Sequence, residues 1–128
     1  MILVDASVWI EHFKRTDAEL SALIGARVVI SHPFVVGELA CGTLRERDAV
    51  IRMLSRLPQA PVVGHDDVLG FVKRHGLMGR GIGWIDVHLL ASTIVAGRVA
   101  LWSRDRRLAA AAAEHGVAYV RPVHCWRD

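Results

Sequence analysis

Only two of the 128 residues are cysteine, Cys41 and Cys125. They stand far apart and in no metal-ligand spacing, so neither a disulfide framework nor a cysteine-bound zinc is implied. Both read as reduced thiols of a cytoplasmic protein. The amino terminus, Met-Ile-Leu-Val-Asp, lacks a basic segment, a long apolar core and a small-residue cleavage site, so no signal peptide is expected. The longest apolar run, Leu89 to Gly97, lies between His88 and Arg98 and is too short to cross a bilayer. No membrane association is expected. Internal repeats and low-complexity linkers are absent too. One domain over residues 1–128 is expected, long enough to bury a core without staples.

About half of the residues are hydrophobic (52%), which excludes a disordered chain. Sixteen Lys and Arg face thirteen Asp and Glu, a net charge of +3. That balance permits nucleic-acid binding and does not require it. Ile2 to Asp5 is a short, continuously apolar strand of the kind buried on both faces in a parallel sheet. Further strands are expected at Arg27–Ile30, briefly at Val62–Val63, at Val99–Trp102 and at Val117–Val120. Helices are expected over Ser7–Lys14, Asp17–Ile24 (ended by Gly25), Pro33–Cys41, Arg45–Leu57, Asp66–His75, Trp84–Ala96 and Arg106–His115. Gly76–Gly83 reads as a flexible loop. Strands alternating with helices argue an α/β fold with a mainly parallel central sheet flanked by helices.

Four acids do not fit an ordinary surface pattern: Asp5, Glu38, Asp86 and Asp105. Glu38 shares a helix face with Phe34, Val35, Cys41 and Gly42, where a carboxylate should be buried. An unpaired charge there costs several kcal/mol (roughly), unless an arginine pairs with it. Asp5 and Asp105 follow strands and can cap the next helix. Asp86 can sit in the first turn of its helix, where the dipole favours it. Singly, each is explained as a cap. Together they share the edge where the carboxyl ends of parallel strands form sites. Four carboxylates meeting there repel one another, and at least one is driven toward its protonated form. A hard divalent cation, Mg²⁺ or Mn²⁺, removes the conflict. No nucleophile with a base beside it is visible, so the chemistry such a site offers is attack of activated water on a phosphodiester.

These acids and their contexts resemble the PIN-domain nucleases, and more narrowly the VapC toxins of bacterial type II toxin–antitoxin pairs. The matching segments are Ile2-Leu-Val-Asp-Ala-Ser-Val-Trp-Ile10, Val36-Gly-Glu-Leu-Ala-Cys-Gly42, Gly83-Trp-Ile-Asp-Val-His-Leu-Leu-Ala91 and Leu101-Trp-Ser-Arg-Asp-Arg-Arg-Leu108. The resemblance covers essentially the whole chain and implies a PIN-like three-layer fold. It implies a Mg²⁺- or Mn²⁺-dependent endoribonuclease, often a homodimer, held in check by a VapB-type antitoxin whose tail occupies the site or its groove. It places Asp5, Glu38, Asp86 and Asp105 as the acidic site. Ser103, two before the last acid, and Ser7, near the first, match small polar residues of the family pattern.

Asp5 and Asp86 are expected as direct metal ligands, Asp105 as a ligand directly or through water, and Glu38 as a water-orienting carboxylate or base. Ser7 and Ser103 are expected to hydrogen-bond these acids or the substrate, or simply to cap helices. Arg104, Arg106 and Arg107 flank Asp105 in a first helical turn, unfavourable to the dipole by roughly 0.3–1 kcal/mol unless a carboxylate or phosphate lies nearby. They are candidates to hold an RNA backbone, and Arg80 in the glycine-rich loop a candidate substrate contact. That loop is not a dinucleotide fingerprint, because it follows a helix and its last spacing is too short. His88 and Trp9, Trp84 and Trp102 read as structural. The stripe Val50, Ile51, Leu54, Leu57 is either core or a surface for an antitoxin helix or second subunit. A non-catalytic RNA-binding module on the same fold is the alternative function. A phosphoacceptor domain is disfavoured because Asp5 stands alone and the only lysines are Lys14 and Lys73. An aspartate-nucleophile hydrolase would want a second Asp where Ser7 stands.

Overall fold

The computed structural model describes residues 1–122. Three short parallel strands form the sheet, in the order β2 (Val29–Ile30), β1 (Ile2–Val4), β3 (Ala100–Trp102). Ile2 faces Val29 on one side and Ala100 on the other. A parallel bridge widens the sheet at each edge, Ser31 to Gln59 beyond β2 and Leu101 to Ala118 beyond β3. The helices are α1 (Ala6–Lys14), α2 (Ala18–Gly25), α3 (Pro33–Ala40), α4 (Arg47–Arg56), α5 (His65–Arg74), α6 (Trp84–Ala96) and α7 (Arg106–Glu114). They fall into packing groups. α3 packs chiefly on α1 and α4, while α6 packs on α5, α7 and β3. The result is the expected three-layer α/β arrangement.

Two expected strands are reduced. Val62–Val63 makes no strand, and Val62 is exposed. The pairing occurs earlier, where Ser31 donates to Pro58 O (2.9 Å) and Ala60 to Ser31 O (2.7 Å). Pro61, with no N–H, cannot carry that ladder onward. Val117–Val120 keeps two bonds, Leu101 N–H to Val117 O (2.7 Å) and Tyr119 N–H to Leu101 O (2.9 Å). α2 ends at Gly25, one residue past the expected Ile24, but the glycine does not make the turn. The chain turns at Arg27, which takes the left-handed φ of 60°, with Arg27 donating to Ile24 O and Val28 to Leu23 O. That is a Schellman closure with arginine where glycine is the usual residue.

The core gathers Leu3, Val4, Trp9, Leu39, Leu89, Leu101 and Leu108, all essentially without solvent contact. Their spacing explains the elements. β1 is buried on both faces, and α7 turns Leu108, Ala111 and Ala112 inward at helical period. Of the stripe on α4, Leu54 is fully buried and Val50 and Leu57 pack half-buried against the core, so it is mainly packing surface. Trp9 and Trp102 are buried and Trp84 is 39% exposed at the rim, while His88 is buried between Trp84 and Phe34. Among the described residues no helix is long and apolar enough to cross a membrane. Cys41 is exposed and free, and Cys125 lies outside the described residues.

Candidate active site at the carboxyl edge of the sheet

Strand β1 delivers Asp5 to the sheet edge beside Trp102, whose carbonyl accepts the Asp5 N–H at 2.9 Å. Asp5 is only 4% exposed. Its Oδ1 accepts from Ala6 N at 2.8 Å and so caps α1. Its Oδ2 accepts from both Ser7 Oγ and Ser103 Oγ, each at 2.8 Å. The two serines in turn accept backbone amides, Ser7 from Arg104 N and Ser103 from Asp105 N, each at 3.0 Å. Each hydroxyl therefore has its proton directed at Asp5. The segment carrying the last acid is pinned to the first acid through these two serines.

Asp105 caps α7, with Oδ1 accepting from Arg107 N (2.9 Å) and Leu108 N (3.1 Å). The capping expectation is thus met through Oδ1, and Oδ2 has no hydrogen-bond partner among the described residues. Asp86 sits in the first turn of α6, partly buried, three residues after Gly83. Glu38 rides on α3, and the expectation of a buried Glu38 is wrong. Val35 and Leu39 form the inward face of α3, while Gly37 and Glu38 are exposed. Phe34, Cys41 and Gly42, the apolar neighbours of Glu38, belong to a rim and not to the core.

Asp86 feels the charges of the other three acids, and Glu38 feels that of Asp5. Burial, then the charges of Asp5, Asp105 and Glu38, push the Asp86 pKa up from 3.8 to about 7. Loss of solvent around its carboxyl, then the charge of Asp5, raises the pKa of Glu38, even though the residue as a whole faces solvent. Among the described residues none of the four acids forms an ion pair with Lys, Arg or His. Among the described residues no arginine pairs with Glu38 to make it merely structural. The acids are neighbours without being closed up. Among the described residues no three His, Cys, Asp or Glu side chains already stand in a metal-gripping arrangement. Coulomb coupling acts over several ångströms, whereas ligation needs oxygens at roughly 2.0–2.6 Å from the ion. An all-oxygen set of unpaired carboxylates, one already pressed toward neutrality, fits a hard divalent cation and gives each acid a reason to draw in.

The glycine-rich loop before Asp86 is fastened, not free. Arg80 makes a two-pronged, solvent-exposed pair with Glu114 of α7 (2.8 and 2.7 Å). Gly81 has φ +76°, and a Cβ there would stand 3.0 Å from the Arg107 side chain, so Arg107 lies across the loop backbone. Sequence reasoning missed Glu114 and this use of Arg107. It also missed His32, the N-cap of α3, although Pro33 at the first helical position signals a cap just before it. Arg104 and Arg106 are exposed.

Two grooves are near, one lined by Glu38 and one by Arg104, the residue before Asp105. One, of about 570 Å³, runs from Glu38 past Ile10, Phe13, Lys14, Leu44 and Arg45. The other, of about 630 Å³, starts at Arg104 and follows Glu11 and Arg15 to Asp17, Glu19 and Arg121.

Comparison with known proteins agrees with this arrangement. A family model described as PIN domain matches residues 2–114. Ribonuclease VapC32 of Mycobacterium tuberculosis, from strain H37Rv and again from strain CDC 1551, is 50% identical over 123 residues. That alignment covers 96% of this chain and 99% of the relative in each case.

Proposed function

Because the chain belongs to the PIN-domain family, among its VapC ribonucleases, we propose that it is a Mg²⁺- or Mn²⁺-dependent endoribonuclease, the toxin of a toxin–antitoxin pair. The observation that carries this reading is the convergence of four carboxylates, without a cationic partner among the described residues, on one edge of a parallel sheet.

Asp5, Asp86 and Asp105 are the residues to hold the ion, with Glu38 beside them. A divalent ion so held supplies charge for the phosphate oxygens and makes a neighbouring water more acidic. The chain's own side chains do the rest. Ser7 and Ser103 hold Asp5 Oδ2 in one orientation. Asp105 keeps one oxygen on the amides of α7, which leaves the other for the ion. Glu38, solvent-facing and with a raised pKa, orients the attacking water and takes its proton as the phosphorus–oxygen bond to the leaving ribose breaks. Arg104 and Arg106 hold the RNA backbone beside the acids.

The groove of Ile10, Phe13 and Leu44, edged by Lys14 and Arg45, suits the tail of a VapB-type antitoxin, apolar with an acidic end. The working unit is a homodimer acting in the cytoplasm, where its RNA is. The test is incubation of antitoxin-free protein with a panel of structured RNAs in Mg²⁺, Mn²⁺ or EDTA, with Asp5→Asn in parallel. Discrete cleavage that needs both the ion and Asp5 is expected. RNA binding without cleavage, equal in the variant and in EDTA, would leave a binding module instead.

A further inference from the structure

The two helices that bring Glu38 and Asp86 together have little else in common. α3 packs chiefly on α1 and α4, and α6 on α5, α7 and β3. Their separation sets the distance between two of the four acids, so something must join them. The join is made by side chains. His32 is fully buried, as is Ser92 in the middle of α6. His32 Nδ1 accepts from Phe34 N at 2.9 Å and so caps α3. With Nδ1 occupied as an acceptor, the ring proton of the neutral imidazole sits on Nε2. That nitrogen lies 3.0 Å from Ser92 Oγ and donates to it. The same ring packs edge-on against Phe34 (5.0 Å between centroids), which packs in turn on His88 of α6 (4.9 Å).

We infer that His32 is a positioning residue for the acidic site, fixing α3 to α6 through Ser92 and so limiting how far Glu38 and Asp86 can move apart. This rests on the nuclease reading and adds to it a residue that touches neither ion nor RNA. Burial, then the charge of His88, lowers the His32 pKa to about 4, so the ring stays neutral and the tautomer stays fixed near neutral pH. An outer partner that orients metal-binding groups commonly governs affinity by about 10- to 100-fold, and that is the range expected here.

The experiment is Mn²⁺ binding by calorimetry, with cleavage followed alongside, on wild type, His32→Asn, Ser92→Ala, the double variant and Val68→Ala. Asn retains an acceptor for Phe34 N and is too short to reach Ser92, so the cap survives and the tie does not. Ser92→Ala decides the matter alone if His32→Asn does not fold. Val68 is fully buried on α5, a helix that carries neither partner of the tie and none of the four acids, and measures what general destabilisation does. Each single variant should bind Mn²⁺ about tenfold more weakly or worse, by the range above. The double variant should be no weaker than the weaker single, and Val68→Ala should match wild type. Single variants that bind like wild type, or a Val68→Ala loss of equal size, overturn the positioning role while leaving the nuclease reading intact. A wild type that neither binds Mn²⁺ nor cuts RNA refutes the nuclease reading, and this inference with it.

Discussion

Replacing Asp86 with Asn should make the metal-free protein more stable, and only above a certain pH. In the folded chain the Asp86 carboxyl ionises at about 7 instead of 3.8, chiefly because it is buried and then because Asp5, Asp105 and Glu38 repel its charge. Between those values the folded state holds a proton that the unfolded state has lost. Stability contributed by the neutral form is therefore complete below about pH 4 and drains away as pH rises to about 7. At about 1.4 kcal/mol per pH unit the whole interval corresponds to about 4 kcal/mol, and screening by water at a half-open site reduces it to about 2–3 kcal/mol. Asn is uncharged at every pH and escapes the loss. Urea unfolding in EDTA should give equal stabilities for wild type and Asp86→Asn near pH 4, and a variant more stable by about 2–3 kcal/mol near pH 8. A Mn²⁺ concentration that saturates the wild type should reverse the order, since the wild type then gains more binding energy than the weaker-binding variant. A difference that stays flat from about pH 4 to about pH 8 would refute the argument that the acids crowd Asp86.

Ser103→Ala removes one of the two hydroxyls on Asp5 Oδ2 and orphans Asp105 N. It should cost about 1–3 kcal/mol in urea unfolding and weaken Mn²⁺ binding as well. Arg27→Gly relieves the left-handed φ of 60° and should stabilise by about 1 kcal/mol, read as a rise in thermal midpoint with cleavage unchanged. Arg104→Gln should raise KM for RNA with little change in kcat, and lower the slope of log KM against log salt by about one. An unchanged slope would remove Arg104 from the RNA path.

The parallel sheet and the seven helices among the described residues were legible because β1 and β3 are apolar runs and most of the helices are followed closely by Gly or Pro. What was not legible lies at the edges. Val117–Val120 and the segment near Gln59 pair by one bridge each, and such short pairing leaves no period to read. Asp5 and Asp105 were legible as caps, and in each one oxygen serves the helix; the second oxygen of Asp5 takes the hydroxyls of Ser7 and Ser103, and that of Asp105 has no hydrogen-bond partner among the described residues. Glu38 was picked out for the wrong reason. Its neighbours in sequence are apolar, but the inward face of α3 is Val35 and Leu39, one position round. Arg80 and Arg107 looked like substrate ligands because nothing in the sequence pairs a loop at 79–83 with a helix at 106–114. Tertiary contact alone assigns Arg80 to Glu114 and lays Arg107 on Gly81.

The central claim is that these four acids hold one divalent-metal centre and that it cuts RNA. The most direct measurement titrates Mn²⁺ into wild type, Asp5→Asn, Glu38→Gln, Asp86→Asn and Asp105→Asn, and assays RNA cleavage on the same samples. The account predicts that every substitution weakens Mn²⁺ binding, that cleavage falls with it, and that EDTA abolishes cleavage in all five proteins. Cleavage that survives EDTA and survives Asp5→Asn would contradict it.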